Sequence, residues 1–103
     1  MSNNDELFIE KFKSIGNDRF YSFLLTYAIN KLIKIKANNF EGISPEIEFL
    51  EYAERFLQLY RRENNAIHLD LSRTFRRAGH KIYRLMRKQN LINKNSRFLQ
   101  AVK

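Results

Sequence analysis

The chain has 103 residues, no cysteine, one proline, three glycines and a formal net charge of +8. This length predicts a single domain, residues 1–103, with one hydrophobic core, and the missing cysteines exclude disulfides and thiolate metal sites. We expect a cytoplasmic protein, because the first residues lack the basic and apolar segments of a signal peptide. The longest uncharged apolar run, Phe20–Asn30, is far shorter than the ~20 residues of a membrane span.

Positive charge is concentrated in the C-terminal part of the chain. Residues 1–60 contain seven lysines and arginines against nine acids, whereas residues 61–103 contain twelve against two. Most of the excess lies in the run Leu71–Lys88. Such an asymmetry predicts a surface that meets a polyanion or an acidic partner, and it says nothing about a reaction.

The first two helices are predicted at Asp5–Ser14 and Asp18–Ala37, where apolar residues recur at helical spacing. Gly16, between them, suits the left-handed turn that ends many helices. The second helix is apolar nearly all round in its first half, so more than one of its sides must be covered. One apolar surface contains Phe20, Phe23 and Tyr27. The other is broader and contains Tyr21, Leu24, Leu25, Ala28, Ile29, Leu32 and Ile35. On that side Leu25, Ile29 and Ile33 are the residues that most need a neighbour.

The apolar surfaces of the second helix also predict association. In a bundle of this size each helix is usually exposed on one side, so an extra apolar surface needs a neighbour. We predict a homodimer through the second helix, because a symmetric dimer is the commonest soluble oligomer. The alternative is that the short terminal helices cover these residues within one chain.

The third helix, predicted at Ser44–Arg62, has the clearest start in the chain. Ser44 suits the N-cap, Pro45 suits the first turn, and Glu46 suits the positive end of the helix dipole. These signals make its beginning the most sharply defined boundary in the sequence.

The fourth helix is predicted at Ala66–Gln89, after the polar connection Glu63–Asn65, in which Asn65 is a candidate cap. A connection this short favours an antiparallel hairpin of the third and fourth helices. Ser96–Val102 is predicted to add a final turn. No segment alternates as a strand does, so the predicted fold class is all-α, a four-helix bundle or a close relative.

The two sides of the fourth helix differ in character. At about 100° per residue its apolar residues form a narrow seam, which consists of Ile67, Leu71, Phe75, Ala78, Ile82 and Leu85. The opposite side, here called the basic arc, consists of Arg73, Arg76, Arg77, His80, Lys81, Arg84, Arg87 and Lys88. Tyr83 borders the basic arc and is a candidate for stacking on a base. Arginine binds phosphates and carboxylates through a planar fork, so the arc predicts a binding surface.

Three interpretations of the basic arc remain open. Nucleic acid, DNA or RNA, is preferred, because the charge is spread along the helix and the apolar anchors of protein hot spots are scarce. The alternative is a non-enzymatic adaptor or regulator whose basic helix binds an acidic protein. In the third interpretation the arc has no ligand, and glutamates of the third helix neutralise Arg84, Arg87 and Lys88 across the hairpin. Membrane binding ranks below nucleic acid and an acidic protein as an interpretation. A helix lying on a membrane would need its apolar seam for the lipid, whereas here the core needs that seam.

The run Leu71–Ile92 resembles the C-terminal helix-turn-helix of Fis-type DNA-binding proteins. Ile82–Arg84 and Met86–Lys88 match the basic recognition helix of that family, so the resemblance implies a turn followed by a DNA-binding helix. The family's turn glycine would fall at Arg76, whereas Gly79 comes three residues later. The seam also runs unbroken through this position. One continuous helix is therefore the prediction, and a split helix is the alternative.

No pattern in the sequence indicates catalysis or metal binding. His68 and His80 are twelve residues apart and do not share a helix face, and no His-x-x-x-His or Glu-x-x-His pair occurs. The chain also lacks a glycine-rich phosphate loop and a nucleophile in a recognisable context. We therefore expect no enzyme activity, no metal and no cofactor.

Overall fold

The computed structural model describes residues 3–36 and 43–88, which form four helices and no strand. The helices are α1 (Asn3–Ile15), α2 (Asn17–Lys36), α3 (Pro45–Glu63) and α4 (Ala66–Lys88). The all-α prediction is confirmed, and each predicted helix end inside the described ranges lies within two residues of the observed end. Ala37, Gln89 and the turn predicted at Ser96–Val102 lie outside the described residues.

Glycine forms the junction of α1 with α2, and asparagine forms the junction of α3 with α4. Gly16 has a φ of 84°, a left-handed conformation that glycine adopts without strain, and its N–H donates to the Phe12 carbonyl at 2.9 Å. Asn64 has a φ of 54° and ends α3 in the same handedness. The Asn65 side chain then accepts the N–H of Ile67 at 3.1 Å, as expected of a cap on α4.

The third and fourth helices form the predicted antiparallel hairpin. Moving away from the connection, the contacts are Phe56 with His68, Ala53 with Ser72, and Phe49 with Phe75. In these contacts the residue numbers of α3 fall while those of α4 rise, so the two helices run in opposite directions. The buried Ser72 hydroxyl donates to the Ala53 carbonyl at 2.6 Å, which fixes the stagger of the two helices.

Phe75 occupies the centre of the core and is fully buried. Its ring lies 5.2 to 5.8 Å, centre to centre, from five other aromatic rings. These rings belong to Phe8, Phe20, Phe49, Tyr52 and Phe56. Because they come from α1, α2 and α3, one side chain of α4 connects all four helices through favourable stacked and edge-to-face contacts.

The first apolar surface of α2 is covered within the chain. Phe12 of α1 packs edge-to-face on the fully buried Phe20 at 5.5 Å. The Lys11 ammonium lies 4.6 Å from the centre of the Phe23 ring, and Tyr27 packs against the core. For this surface α1 and α3 therefore supply the cover that a dimer would otherwise have to provide.

The second apolar surface of α2 is only partly covered. Leu25 packs against the core, but Ile29 and Ile33, one and two turns further along, are 45% and 63% exposed. An exposed apolar strip therefore remains on one side of α2.

Candidate functional site

Packing confirms the seam on α4. Its central residues Leu71, Phe75, Ala78 and Ile82 are fully buried, and Ile67 and Leu85 are partly buried at its margins. The buried side also includes His68, Ser72, Thr74, Gly79 and Met86, so it is wider than the seam. Roughly half of the circumference of α4 therefore packs inward, and the remainder faces solvent.

The basic arc lies on the solvent side of α4. All seven of its arginines and lysines are exposed, whereas His80 and the bordering Tyr83 are half-buried. Within residues 3–36 and 43–88, Arg76 is the only arginine or lysine of the arc within 4.0 Å of a carboxylate. Its guanidinium lies 3.9 Å from Glu54, and because both side chains are half-exposed this pair is worth at most about 1 kcal/mol. The arc therefore keeps nearly all of its positive charge.

Glu48 of α3 pairs with α2 and not with the basic arc. Its two carboxylate oxygens accept hydrogen bonds from the Tyr27 hydroxyl at 2.8 Å and the Lys31 ammonium at 2.5 Å. Burial, together with the Glu48 carboxylate, raises the pKa of Tyr27. Burial alone would lower the pKa of Lys31, but Glu48 and Tyr27 outweigh it and the pKa is raised. This network ties α2 to the beginning of α3.

Glu46 is buried at the first turn of α3 and is therefore not placed to neutralise the exposed cations of the basic arc. Ser44 occupies the N-cap as predicted, with extended φ and ψ. Its hydroxyl donates to Glu46 Oε1 at 2.6 Å, and the side chain caps no backbone N–H. Burial raises the pKa of the Glu46 carboxyl, and the hydrogen bond from Ser44 offsets only part of that rise.

The stagger of the hairpin explains why the glutamates of α3 do not pair with Arg84, Arg87 and Lys88 in the described residues, as the third interpretation would require. Ala53 lies opposite Ser72, so at equal rise per residue Pro45 falls opposite about His80, and the last two turns of α4 extend beyond the start of α3. Among the described residues, none of Arg84, Arg87 and Lys88 forms an ion pair with a glutamate of α3.

A groove runs along the basic arc where α4 meets α2. It is lined by Tyr21, Arg73, Arg76, Arg77, His80 and Arg84. The Arg77 guanidinium lies 4.5 Å from the centre of the Tyr21 ring, within the range of a cation–π contact. The Thr74 hydroxyl hydrogen-bonds the Asn17 side chain at 2.6 Å, so the beginning of α2, one turn before Tyr21, is held against α4. The structure thus brings five predicted residues and one aromatic ring together.

Tyr21 is the residue of this groove that sequence reasoning missed. It belongs to α2 and reaches the arc only through the packing of α2 on α4. The one available signal was a polar ring on an otherwise aliphatic face of α2. Tyr83, the aromatic residue predicted to stack on a base, does not line the groove.

His80 also lines the groove. Burial lowers its pKa, and the positive charges of Arg76 and Arg84, one turn away on either side, lower it further. The imidazole is therefore mainly neutral at neutral pH, when one ring nitrogen can donate a hydrogen bond and the other can accept one.

The split-helix alternative for α4 is wrong. The helix is uninterrupted from Ala66 to Lys88, and Gly79 lies inside it on the buried side. The basic arc is therefore one straight strip and not a recognition helix that follows a turn.

Two other features are absent from the described parts of the chain, a metal-binding group and a membrane-crossing helix. No group of three or more histidine, aspartate or glutamate side chains there is placed to hold a metal ion. No helix in those parts combines the length and the apolar character needed to cross a membrane.

Comparison with protein-family models, curated protein sequences and solved structures finds no match for this chain. Function is therefore inferred from the geometry and charge of the basic arc and of the groove beside it.

Proposed function

We propose that this chain is a non-enzymatic nucleic-acid-binding protein and that the basic arc of α4 is its contact surface. The observation that carries the proposal is the state of the arc: seven exposed arginines and lysines on one side of one helix, of which only Arg76 pairs with a carboxylate within the described residues. Like charges this close repel one another. A polyanion removes that repulsion and releases counterions as it binds.

The dimensions of the arc suit a phosphate backbone. From Arg73 to Lys88 the helix rises about 22 Å at 1.5 Å per residue. The cations recur every three or four residues, so they form a continuous strip rather than one point of charge. Arginine predominates, and its planar fork pairs with phosphate oxygens more specifically than a lysine does.

Charge reversal on the arc tests the proposal. For the wild type, log K should fall with log salt at a slope of roughly −4 to −5 on duplex DNA if four to six cations engage. Replacing Arg73, Arg77 and Arg84 by Glu should abolish binding to all sequences alike, because phosphate contacts position a protein without specifying a sequence. Fluorescence anisotropy measures both effects, and circular dichroism checks that the variant folds.

A matched variant separates the arc from net charge. Lys13, Lys34 and Arg61 are exposed residues on α1, α2 and α3, and changing them to Glu alters the net charge by the same amount. This variant should bind nearly as well as the wild type. Equal loss in both triple variants would show a net-charge effect, and wild-type protein without affinity at ~50 mM salt would contradict the proposal.

The competing ligand, an acidic protein, predicts the same residues. Polyglutamate is a useful probe, because it presents carboxylates without phosphates or bases. We expect it to compete weakly with nucleic acid at equal charge. Tight polyglutamate binding together with no nucleic-acid binding would assign the arc to an acidic protein partner.

We also propose that the chain forms a homodimer through the exposed strip of α2. The support is the exposure of Ile29 and Ile33, which lie one turn apart, so that a two-fold axis would let each strip cover its equivalent. Sedimentation should show concentration-dependent association that Ile29→Ser with Ile33→Ser removes. Leu7→Ser, at an exposed site on α1, is the control. A wild-type monomer at high micromolar concentration would reject the dimer.

A further inference from the structure

The groove beside the basic arc combines charge with an aromatic ring. Three guanidiniums, those of Arg73, Arg76 and Arg84, line it together with the Tyr21–Arg77 pair. In that pair the guanidinium lies 4.5 Å from the ring centre, and Tyr21 is half-buried. Phosphate binding alone requires no ring in such a place.

A ring among arginines has a specific use in nucleic-acid binding. Unpaired bases stack on aromatic side chains and on guanidinium planes, whereas the bases of a duplex are already stacked on one another. Proteins that bind single strands combine a positive groove along the backbone with such stacking surfaces. The groove between α2 and α4 has both features.

We propose that this groove binds a single strand of nucleic acid, with one unpaired base stacked against the Tyr21–Arg77 pair and the flanking phosphates held by Arg73, Arg76 and Arg84. This inference rests on the proposed function and narrows it to single strands. The half-buried Tyr21 ring belongs to α2, whose beginning is joined to α4 by the hydrogen bond between Thr74 and Asn17, and the ring contacts the Arg77 guanidinium within the same chain.

The position of α4 argues against a duplex as the preferred ligand. A helix that reads a duplex projects from its domain into a major groove about 12 Å wide. Here α4 lies between α2 and α3 with its cations beside a concavity, and the exposed Glu54 carboxylate stands at the α3 margin of the arc. A flexible single strand can follow the groove and avoid that carboxylate, whereas a rigid duplex brings two rows of phosphates to the surface.

The test compares a single-stranded oligothymidine of about 12 nucleotides, within the usual site size of such proteins, with a duplex of equal length. The wild type should prefer the single strand. Tyr21→Leu removes the ring and keeps an apolar side chain, so single-strand affinity should fall about 5- to 100-fold. Tyr21→Phe should bind like the wild type. Thermal denaturation monitors folding throughout.

Two further variants keep the test decisive. Arg77→Lys keeps the charge but loses the plane that stacks on Tyr21, so it should weaken single-strand binding even if Tyr21→Leu fails to fold. Tyr83→Leu removes the ring at the other margin of the arc, which the sequence predicts to stack on a base, and so tests the competing position. A loss that follows Tyr83 and not Tyr21 would overturn the assignment to this groove.

The outcomes separate this inference from the broader proposal. Equal affinity for the duplex and the single strand, with Tyr21→Leu unchanged, overturns the single-strand inference and leaves phosphate binding by the arc intact. Absence of binding to either nucleic acid overturns both.

Discussion

The carboxylates of α3 and the cations of α4 belong to one hairpin but lie in opposite environments. Glu46 is 2% exposed and Glu48 has an 18% exposed side chain with two hydrogen-bonded partners. The arginines and lysines of the basic arc are all exposed, and in the described ranges only Arg76 pairs with an acid. The acids at the start of α3 are thus part of the folded structure, whereas the cations of α4 contribute little to it.

This contrast shows that charge is placed for two different purposes. A charge held by a charged partner, as Glu48 is by Lys31, contributes to stability and should be costly to remove. A carboxylate whose burial raises its pKa, as that of Glu46 does, instead costs stability at neutral pH. An exposed charge next to charges of the same sign adds nothing to stability and remains available to a ligand. The unfolding free energies of variants on both sides of the hairpin distinguish the two kinds of charge.

Glu48→Gln should cause the largest loss. It removes the charge that holds Lys31 and Tyr27, and hydrogen bonds to charged groups are worth about 1.5–3 kcal/mol, so we expect a loss of ~2 kcal/mol. Urea denaturation measures it. Glu54→Gln on the same helix is the control, because its exposed pair with Arg76 should cost at most about 0.5 kcal/mol. Equal losses in the two variants would remove the distinction between held and exposed carboxylates.

Arg55→Gln should destabilise by about 1–2 kcal/mol. The Arg55 guanidinium donates to the buried Asp5 carboxylate at 2.7 Å, so the substitution removes a charged partner of that carboxylate. The expected loss of stability is smaller than for a fully buried ion pair, because the Arg55 side chain is 49% exposed. Thermal unfolding of this variant beside Asp5→Asn, and of the double variant, should show the two effects to be less than additive.

Glu46→Gln should stabilise the protein at neutral pH by about 1 kcal/mol. The raised pKa of Glu46 means that the folded state favours the protonated carboxyl. That contribution is complete below the ordinary pKa of 4.5 and is lost as pH rises through the higher folded pKa. Glutamine stays neutral at every pH, so its advantage over glutamate should vanish in acid. An advantage that does not change with pH would show that burial of charge is not its cause.

Arg84→Gln should change stability least, by no more than about 0.5 kcal/mol in either direction. The side chain is exposed and pairs with no acid in the described residues, so only its repulsion by neighbouring cations is removed. Denaturation at low and high salt checks this, because relief of repulsion fades as salt screens the arc. A loss as large as that of Arg55→Gln would mean that the arc does contribute to the fold.

The sequence predicts most of this fold because the information is local. The spacing of apolar residues along α4 defines both the seam and the basic arc, and Ser44, Pro45 and Asn65 define helix ends by their own chemistry. The structure confirms these boundaries, while the binding role of the arc stays a prediction.

The remaining features depend on how helices pack, which no single helix encodes. The stagger of α3 against α4 follows from the contact of Ala53 with Ser72, so the partners of the glutamates could not be derived from the length of the connection. Tyr21 reaches the groove from α2 for the same reason. Whether α1 covers Phe20 depends on where this short helix packs against α2. The spacing of apolar residues within α1 does not determine that position.

The short connection of Asn64 and Asn65 has a consequence for how the molecule folds. Closing so short a loop costs little chain entropy, and contacts between segments near in sequence form quickly. We therefore expect α3 and α4 to pair in the transition state, with α1 docking afterwards. Ala53→Gly in the hairpin should mainly slow folding, and Phe12→Ala in α1 should mainly speed unfolding. Stopped-flow measurements of both rates would then show α1 as the element that closes last over a hairpin already formed.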